Sequence, residues 1–259
     1  MNPAAMEPFG MALAAYAAGD QTSTVVVRRD DGHEARLPAV HFFRGEGAFT
    51  SLERTALARC AGRVLDTGTA AGSHALALQR RGLRVTAIDI SSHAVAIASA
   101  RGVVDARCAD VMTFAGGPYD TLLMLGHGIG MVETLAGLRA FLPRAASLLA
   151  PGGQLLLDSM DAATTSEPVH LAYHDANRRA GRYYGEIRMQ FEFDGHPGPF
   201  CWWLQVDAAT LGTEAVALGW ECAVISRGAD GDYLARLTKD ADEERLGMRG
   251  RRDGGNDAR

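Results

Sequence analysis

The fold of this chain is decided by one stretch, Val64-Leu65-Asp66-Thr67-Gly68-Thr69-Ala70-Ala71-Gly72-Ser73-His74. Its short apolar run predicts a buried β-strand, its small residues predict a tight turn, and the pattern from Ser73 onwards predicts the start of a helix. Gly68 and Gly72 let the backbone approach a ligand closely, because they carry no side chain. The N-terminus of the following helix offers free N–H groups and a partial positive charge, which suit a carboxylate or a phosphate.

Two kinds of ligand turn compete at this place. A dinucleotide-binding turn needs the pattern Gly-x-Gly-x-x-Gly. From Gly68 onwards only the first glycine fits, because Ala70 and Ser73 hold the other two positions. The chain instead has an acid two residues before Gly68 and a glycine four residues after it. A purely structural strand-to-helix turn is the alternative at this point, so the residues downstream have to decide.

Strands and helices alternate from residue 63 to residue 158. Short apolar runs predict strands over 63–66, 83–90, 105–109, 120–125 and 154–158, with helical patterns between them. Pro143 falls within the helical pattern 131–149, where it should kink the helix or begin a second one. The alternation predicts a parallel sheet with helices on both faces, and ligands of such sheets bind at the carboxyl ends of the strands.

Acidic residues end two of these strands. Asp89 ends the second strand, 21 residues after Gly68. A carboxylate there can accept hydrogen bonds from both hydroxyls of a ribose. Asp110 ends the third strand. The position of Asp89 is shared with dinucleotide-binding folds, so it supports the binding of a nucleoside without naming the ligand.

Taken in order, five features of the chain resemble the class I S-adenosylmethionine (SAM) dependent methyltransferases. They are Asp66-x-Gly68-x-Ala70-x-Gly72, Asp89, Asp110, the strand that opens with Tyr119-Asp120, and the turn Leu149-Ala150-Pro151-Gly152-Gly153. Ala70 departs from the family's D-x-G-x-G-x-G pattern, because it replaces the middle glycine. The resemblance covers about residues 63–158. It implies an α/β fold, a Rossmann-like doubly wound seven-stranded sheet, with SAM as the cofactor.

The same resemblance implies which residues hold SAM. Asp89 would bind the ribose, Asp110 would accept from the adenine amino group, and Val111 would lie against the ring. Arg44 would meet the methionine carboxylate, although a packing role is the alternative. The full set of expected cofactor residues is Arg44, Asp66, Thr67, Gly68, Thr69, Gly72, Asp89, Ile90, Asp110, Val111, Leu125 and Gly126.

Three residues are candidates for catalysis. His127 follows the fourth strand, beside the expected position of the methyl group, and histidine suits proton transfer near neutral pH. Alternatively, its glycine-rich loop only shapes the floor of the pocket. Asp158 ends the fifth strand, where it either orients an amine or hydroxyl or caps the following loop. Tyr184, together with Glu186, is expected to reach over the pocket from an insertion.

The pattern divides the chain into five segments. Residues 1–62 predict an N-terminal cap with a helix over 8–18, a hairpin around Asp30-Asp31-Gly32 and a helix over 51–60. The SAM-binding core covers 63–161 and resumes over 207–239 with a helix and a closing hairpin. Between them, the aromatic-rich residues 162–206 predict an antiparallel hairpin that serves as a substrate lid. The charged residues 240–259 predict a disordered tail.

Composition narrows the choice of partners. The chain has 259 residues, a net charge of −5 and a pI near 5.9, which argues against a nucleic-acid partner. The longest early apolar run, 11–18, is too short to span a membrane. Four scattered cysteines fit a reduced, cytoplasmic protein. His170 and His174 are four residues apart, but without a carboxylate cluster they predict a solvated pair and no metal site.

The sequence therefore predicts a SAM-dependent methyltransferase. Its layout of a cap and an insertion around the core resembles that of the methyltransferases of secondary metabolism, which implies a small-molecule substrate. The aromatic residues of the insertion favour a small aromatic or apolar acceptor, methylated at oxygen, nitrogen or carbon. A macromolecular (protein or RNA) methyltransferase and a non-catalytic SAM-binding subunit are the alternatives. A homodimer also stays open, because the adjacent Trp202 and Trp203 must point to opposite faces of a strand.

Overall fold

The computed structural model describes residues 1–228 and 230–239. The helices within this part are α1 (Glu7–Ala17), α2 (Ser51–Arg59), α3 (Ser73–Arg80), α4 (Ser92–Ala100), α5 (Leu135–Leu148), α6 (Pro168–Arg179) and α7 (Ala208–Ala217). The strands are β1 (Thr24–Arg29), β2 (Glu34–Pro38), β3 (Arg63–Thr67), β4 (Arg84–Asp89), β5 (Ala106–Cys108), β6 (Tyr119–Met124), β7 (Leu149–Met160), β8 (Glu186–Phe193), β9 (His196–Pro197), β10 (Cys201–Leu204), β11 (Trp220–Arg227) and β12 (Asp232–Lys239).

The main sheet has seven strands in the order β11-β12-β7-β6-β3-β4-β5. Strands β3 to β7 pair in parallel, whereas β12 pairs antiparallel with both β7 and β11. The chain leaves β3 towards β4 on one side and returns to β6 on the other, so strand order reverses between β3 and β6. Ligands of open α/β sheets bind at such a switch point. The predicted doubly wound seven-stranded fold is confirmed.

A second, antiparallel sheet has the strand order β10-β8-β1-β2, and β9 pairs with β8 outside this order. The two predicted hairpins are present, but they are not separate, because Val27 of β1 pairs with Phe191 of β8. The cap, 1–62, and the insertion, 162–206, thus contribute to one sheet. Local sequence patterns carry no signal for a pairing between strands so far apart in the chain.

Three apolar clusters hold these layers together. One face of the main sheet packs on α5 and α7 through residues such as Leu122 and Phe141. The other face packs on α2 and α3 through residues such as Leu57 and Leu78. The second sheet packs on α1 and α4, with Phe9 and Phe191 in its core. The second sheet is therefore fixed to the core by burial of apolar surface, not by a flexible tether.

The glycine at position 10 sets how closely α1 crosses α4. A Cβ on Gly10 would overlap the hydroxyl of Ser91, the residue that caps α4. Ser91 lies two residues beyond Asp89, at the carboxyl edge of the main sheet. The N-terminal helix is thus seated directly beside the predicted ribose site.

Three local predictions need correction. The helix predicted from about residue 131 begins at Leu135, where the Thr134 hydroxyl accepts from the N–H of Gly137, and a 3-10 helix, Gly128–Val132, precedes it. It continues through Pro143 to Leu148, so Pro143 does not begin a second helix. Helix α6 in the insertion was not predicted. His174 on α6 is buried, so the prediction of a solvated histidine pair is wrong for this residue.

Within the described residues, each helix is too short or too polar to cross a membrane. The predicted disordered tail, 240–259, lies outside the described residues.

Candidate active site

The turn after β3 has the conformation that its small residues allow. Gly68, Ala70 and Gly72 all have positive φ, at 70°, 48° and 81°. The N–H groups of Gly68 and Thr69 both donate to the Ile88 carbonyl, at 2.9 and 3.1 Å. A Cβ on Gly72 would lie 2.7 Å from a methyl of Val103. Glycine is thus needed here for both its φ angle and its lack of a side chain.

The acid that begins this turn is buried and holds it in shape. Asp66 accepts a hydrogen bond from the Thr69 hydroxyl at 2.7 Å. Burial raises the pKa of Asp66 above its ordinary value, against the opposing effects of His74 and of the Thr69 hydrogen bond. Thr67, also expected to hold the cofactor, donates its hydroxyl to the Leu123 carbonyl at 3.0 Å. The side chains of Asp66 and Thr67 therefore stabilise the turn through hydrogen bonds within the protein.

Asp89 lies at the carboxyl end of β4 with its carboxylate fixed by backbone. Oδ2 accepts from the N–H of Ala70 and Oδ1 from the N–H of Ser91, both at 2.9 Å. Burial raises the pKa of Asp89, and the two N–H donors oppose that shift by favouring the ionised form. Each carboxylate oxygen can accept a second hydrogen bond. The arrangement therefore leaves two acceptors side by side, which suits the two hydroxyls of a ribose.

Asp110 and Val111 follow β5 at the same edge of the sheet. Asp110 Oδ1 accepts from the N–H of Met112 at 2.9 Å, and the carboxylate is partly exposed. Its other oxygen, Oδ2, lies 3.4 Å from the nitrogen of Met1, because the N-terminal segment crosses this edge. Val111 is buried. A hydrogen-bond acceptor and an apolar wall thus lie together where an adenine amino group and ring are expected.

The remaining cofactor residues line the same edge. Leu125 is buried in the apolar cluster between the main sheet and helices α2 and α3, and Ile90 packs partly buried against the core of the second sheet. Gly126 has a φ of 72°, and a Cβ there would meet no atom within 4 Å. A Cβ on Gly68 would lie 2.7 Å from the Met131 methyl group. Gly126 thus faces open space, and Gly68 lies under the side chain of Met131.

Arg44 lies in a different setting from the one expected. Its guanidinium donates to Glu53 through both terminal nitrogens, to the carbonyls of His41 and Ala48, and contacts the His41 ring. These contacts use all five N–H donors of the side chain. The geometry therefore counts against the predicted contact of Arg44 with a methionine carboxylate and favours the packing alternative.

Glu53 is the centre of that polar cluster. It accepts from the N–H of Thr50 in a capping box that begins α2, and its Oε1 lies 2.8 Å from Nε2 of His74. Burial alone would raise its pKa, but the hydrogen bonds from His74 and Thr50 and the charge of Arg44 outweigh burial and lower the pKa to about 2. Glu53 thus stays ionised and ties the cap to the first turn of α3.

His127 lies in the loop after β6, directly before the 3-10 helix Gly128–Val132, and its backbone is held by Asp158. The two oxygens of the buried Asp158 accept the N–H groups of Gly126 and His127, at 3.1 and 2.8 Å. His127 itself has a φ of 57°, a conformation uncommon for a residue with a side chain. Asp158 therefore holds the loop in place, which favours the capping alternative over a direct contact with the acceptor.

The His127 ring has a partner of its own. Nε2 lies 3.1 Å from Oδ1 of Asp232, and both side chains are about one-third exposed. Burial acts to lower the pKa of His127, but the Asp232 hydrogen bond and the charge of Asp158 outweigh it and raise the pKa above its ordinary value. His127 is thus a partly exposed, titratable group at the carboxyl edge of the sheet.

The second sheet also contacts the loop that carries His127. The indole of Trp203 on β10 packs against Gly130, where a Cβ would overlap the ring. Glu186 on β8 is buried and accepts from the N–H of Leu135, the first residue of α5, at 3.0 Å. The loop that carries His127 is therefore fixed by the main sheet on one side and the second sheet on the other.

Tyr184 lies at the end of β7 and not over open space. Its hydroxyl lies 3.0 Å from Asp161 Oδ1 and 3.1 Å from Asp207 Oδ2. Burial raises the pKa of its phenol far above the ordinary value. A phenol that holds its proton so firmly is a poor general base near neutral pH, so these contacts favour a structural role for Tyr184.

One site residue, Asp232, was not found from the sequence. Asp232 opens β12, which is antiparallel to β7, so its first residue falls at the ligand-binding edge. The sequence does show an acid at the start of the second strand of the closing hairpin, and this position could have indicated Asp232 as a site residue. Glu186 was expected to reach over the pocket, but the contacts of Trp203 and Glu186 with the loop after β6 were not predicted. They form only because β8 and β10 are folded over that loop, and no local pattern predicts this placement.

The family comparisons agree with this geometry. A family model described as "Methyltransferase domain" matches residues 40–221. The chain is also similar to a SAM-dependent methyltransferase from Bacteroides fragilis, solved in complex with S-adenosyl-L-homocysteine. The two sequences are 34% identical, the match covers 92% of this chain and 97% of that chain, and the TM-score is 0.80.

More distant structures share the fold. The CcbJ methyltransferase from Streptomyces caelestis is 14% identical over 73% of this chain and 90% of its own, with a TM-score of 0.56. The sugar N-methyltransferase KedS8 from Streptoalloteichus is 15% identical over 78% and 92%, with a TM-score of 0.51. No curated protein matches the chain in sequence.

Proposed function

The chain belongs to the SAM-dependent methyltransferases, and from that premise we propose that it methylates a small molecule bound beside His127. The observation that carries the proposal is the packing of the second sheet on the loop after β6, through Trp203 against Gly130. The second sheet covers the carboxyl edge of the main sheet, where methyl transfer takes place in this fold. A roof fixed so close to the reacting group suits an acceptor of small size.

The residues that hold SAM follow from the fit of the site. We assign the ribose hydroxyls to Asp89, whose two oxygens each keep one free acceptor position. We assign the adenine amino group to Asp110 and the adenine ring to Val111. The positive φ angles at Gly68 and Gly126 let the backbone approach the rest of the molecule.

Methyl transfer asks little covalent chemistry of the protein. SAM supplies the methyl group on a sulfonium that leaves readily, so the chain has to hold the acceptor atom in line and exclude water. An acceptor that carries a proton must also lose it. We assign that proton to His127, because its ring is partly exposed at the correct edge.

The aromatic residues of the insertion contribute less to an acceptor site than their number indicates. Phe191 is buried in the core of the second sheet, and Tyr173 is buried with its hydroxyl on Asp30. Trp202 lies against Arg182 on the face opposite to Trp203. We therefore assign acceptor contact to Trp203, and the acceptor atom, whether oxygen, nitrogen or carbon, stays open.

The net charge of −5 supports a small acceptor over RNA. A protein acceptor is the remaining alternative. The cysteines at positions 60, 108, 201 and 222 are free, which supports a reducing, cytoplasmic compartment.

The test is a panel of phenols, indoles, amines and amino sugars, each incubated with SAM and the protein and analysed by mass spectrometry. We expect one class of acceptor to gain a single methyl group, in step with the release of S-adenosyl-L-homocysteine. The Asp89→Ala variant serves as the control in which cofactor binding is weakened. Methylation of protein substrates in place of the panel would contradict the proposal.

A further inference from the structure

We propose that Asp232 is a positioning residue for the reaction, which fixes the His127 ring so that Nδ1 takes the proton of the acceptor. This inference rests on the proposed role of His127. It goes beyond that role, because it assigns the proton to one nitrogen and gives a task to a residue on another strand.

The placement of the two side chains comes from the sheet. Asp232 is the first residue of β12 and pairs with Met160 near the end of β7. Its backbone is held there by the N–H of Gly228, which donates to the Asp232 carbonyl at 2.8 Å. The carboxylate then lies 3.1 Å from Nε2 of His127, which is in the loop after β6. The start of β12 thus delivers the acid, and the loop after β6, two strands away in the sheet, delivers the base.

The hydrogen bond selects a tautomer. An ionised carboxylate only accepts hydrogen bonds, so Nε2 of neutral His127 must carry the proton that points to Asp232. Nδ1 is then the nitrogen with the free lone pair. Among the described residues, the hydrogen bonds of the second carboxylate, Asp158, go to the Gly126 and His127 backbone, whereas the ring nitrogen is bonded to Asp232.

The proton balance of the step is simple. As the acceptor forms its bond to the methyl group and the sulfur–methyl bond breaks, the acceptor's proton passes to Nδ1 and the sulfonium becomes an uncharged thioether. His127 becomes an imidazolium with one N–H on each nitrogen. The negative charges of Asp232 and Asp158 both favour this positive charge.

The charged groups around His127 come from three elements. Asp232 faces it from β12 and Asp158 from β7, and both favour the protonated ring. His41 faces it from the 3-10 helix Ala39–Phe43 in the cap, and the positive charges of the two rings repel each other. Removing the Asp232 charge should therefore make the His127 ring harder to protonate.

The experiment is an NMR titration of histidine-labelled protein saturated with S-adenosyl-L-homocysteine, in the wild type and in Asp232→Asn. For the wild type we expect the Nε2-protonated tautomer when neutral. In Asp232→Asn we expect the His127 titration midpoint to fall by roughly one pH unit and the tautomer preference to weaken. Asp161→Asn is the matched control, because Asp161 lies at the end of β7 but contacts Tyr184; its midpoint should not move.

Asp232→Glu provides a second variant, which keeps the charge and should retain the wild-type midpoint and tautomer. An Nδ1-protonated ring in the wild type, or an unmoved midpoint in Asp232→Asn, would overturn the proposal. The measurement needs no acceptor. A failure to find any methylated small molecule would therefore count against the proposed function and leave the result for Asp232 intact.

Discussion

The indole of Trp203 lies against the backbone of Gly130 with no room for a side chain between them. Trp203 belongs to the second sheet, and Gly130 belongs to the 3-10 helix that follows His127. The contact joins the roof of the site to the loop that bears its titratable group. A shift of either one must therefore move the other.

A methyl group at position 130 tests this contact. Gly130→Ala should destabilise the protein by about 1–3 kcal/mol, because a well-packed contact must open to admit the added carbon. The free energy of unfolding, measured in urea, reports the cost. Gly128→Ala is the matched control from the same 3-10 helix, since a Cβ there meets its nearest atom at 3.6 Å. Equal stability of the two variants would show that the Trp203 side chain moves aside without a cost in free energy of unfolding.

Removing the Asp89 carboxylate should weaken SAM binding. Hydrogen bonds to a charged group are worth about 1.5–3 kcal/mol each, so Asp89→Ala should lower the affinity at least about tenfold. Calorimetry with S-adenosyl-L-homocysteine measures the change. Asp105→Ala is the control, because this acid precedes β5 at the opposite edge and contacts Arg107. If the folded Asp89→Ala protein binds as tightly as the wild type, the ribose is held elsewhere.

The His127 variants test the proton transfer. His127→Ala should lower kcat by roughly 10²–10⁴-fold, the usual contribution of a general base, with SAM affinity near that of the wild type. His127→Asn keeps a hydrogen-bonding group but cannot take the proton, so it should be nearly as slow. An Asn variant that retains most of the activity would make His127 a positioning residue only.

The pH dependence of the wild type follows from the same group. A base works in its neutral form, and the pKa of His127 is raised above its ordinary value of 6.5. The rate should therefore rise with pH up to and beyond 6.5, with the midpoint on the alkaline side of that value. A rate that is already maximal at pH 6 would show that neutral His127 is not required.

Glu53 should make stability depend on pH in the acid range. Its pKa is lowered from 4.5 to about 2 in the folded protein, so its ionised form stabilises the fold fully above about pH 4.5. That contribution, on the order of a few kcal/mol, is lost as the pH falls towards 2. Unfolding in urea between pH 6 and 3 should show the wild type losing its advantage over Glu53→Gln. A gap between them that does not change with pH would contradict the lowered pKa.

The main sheet was predictable because its signals are local. Asp66, Gly68 and Gly72 are close in sequence, and the turn that they form predicts both the strand before it and the helix after it. The alternation of strands and helices predicts a parallel sheet whose strands all end at one edge. Asp89 and Asp110 come at the ends of predicted strands, so both were expected at this edge. Each of these inferences needs only one strand and the turn after it.

The roof of the site was not predictable in the same way. Val27 pairs with Phe191 across most of the chain, and Trp203 meets Gly130 only because that pairing forms. Arg44 shows that the partners of a charged side chain are hard to predict from sequence. Its N–H donors are used by Glu53, His41 and Ala48, and no spacing in the sequence distinguishes such an arginine from one that is free to bind a ligand. Asp232 falls between these cases, because the antiparallel direction of β12 would have placed it at the edge.

The most direct test of the central claim follows the label from methyl-labelled SAM into fractionated extract supplied with the protein. We predict that the label enters molecules of low mass, and that Asp89→Ala lowers the transfer at least about tenfold at SAM concentrations well below the Kd. Label found only in protein or RNA, or no transfer by a protein that binds SAM, would contradict a small-molecule methyltransferase.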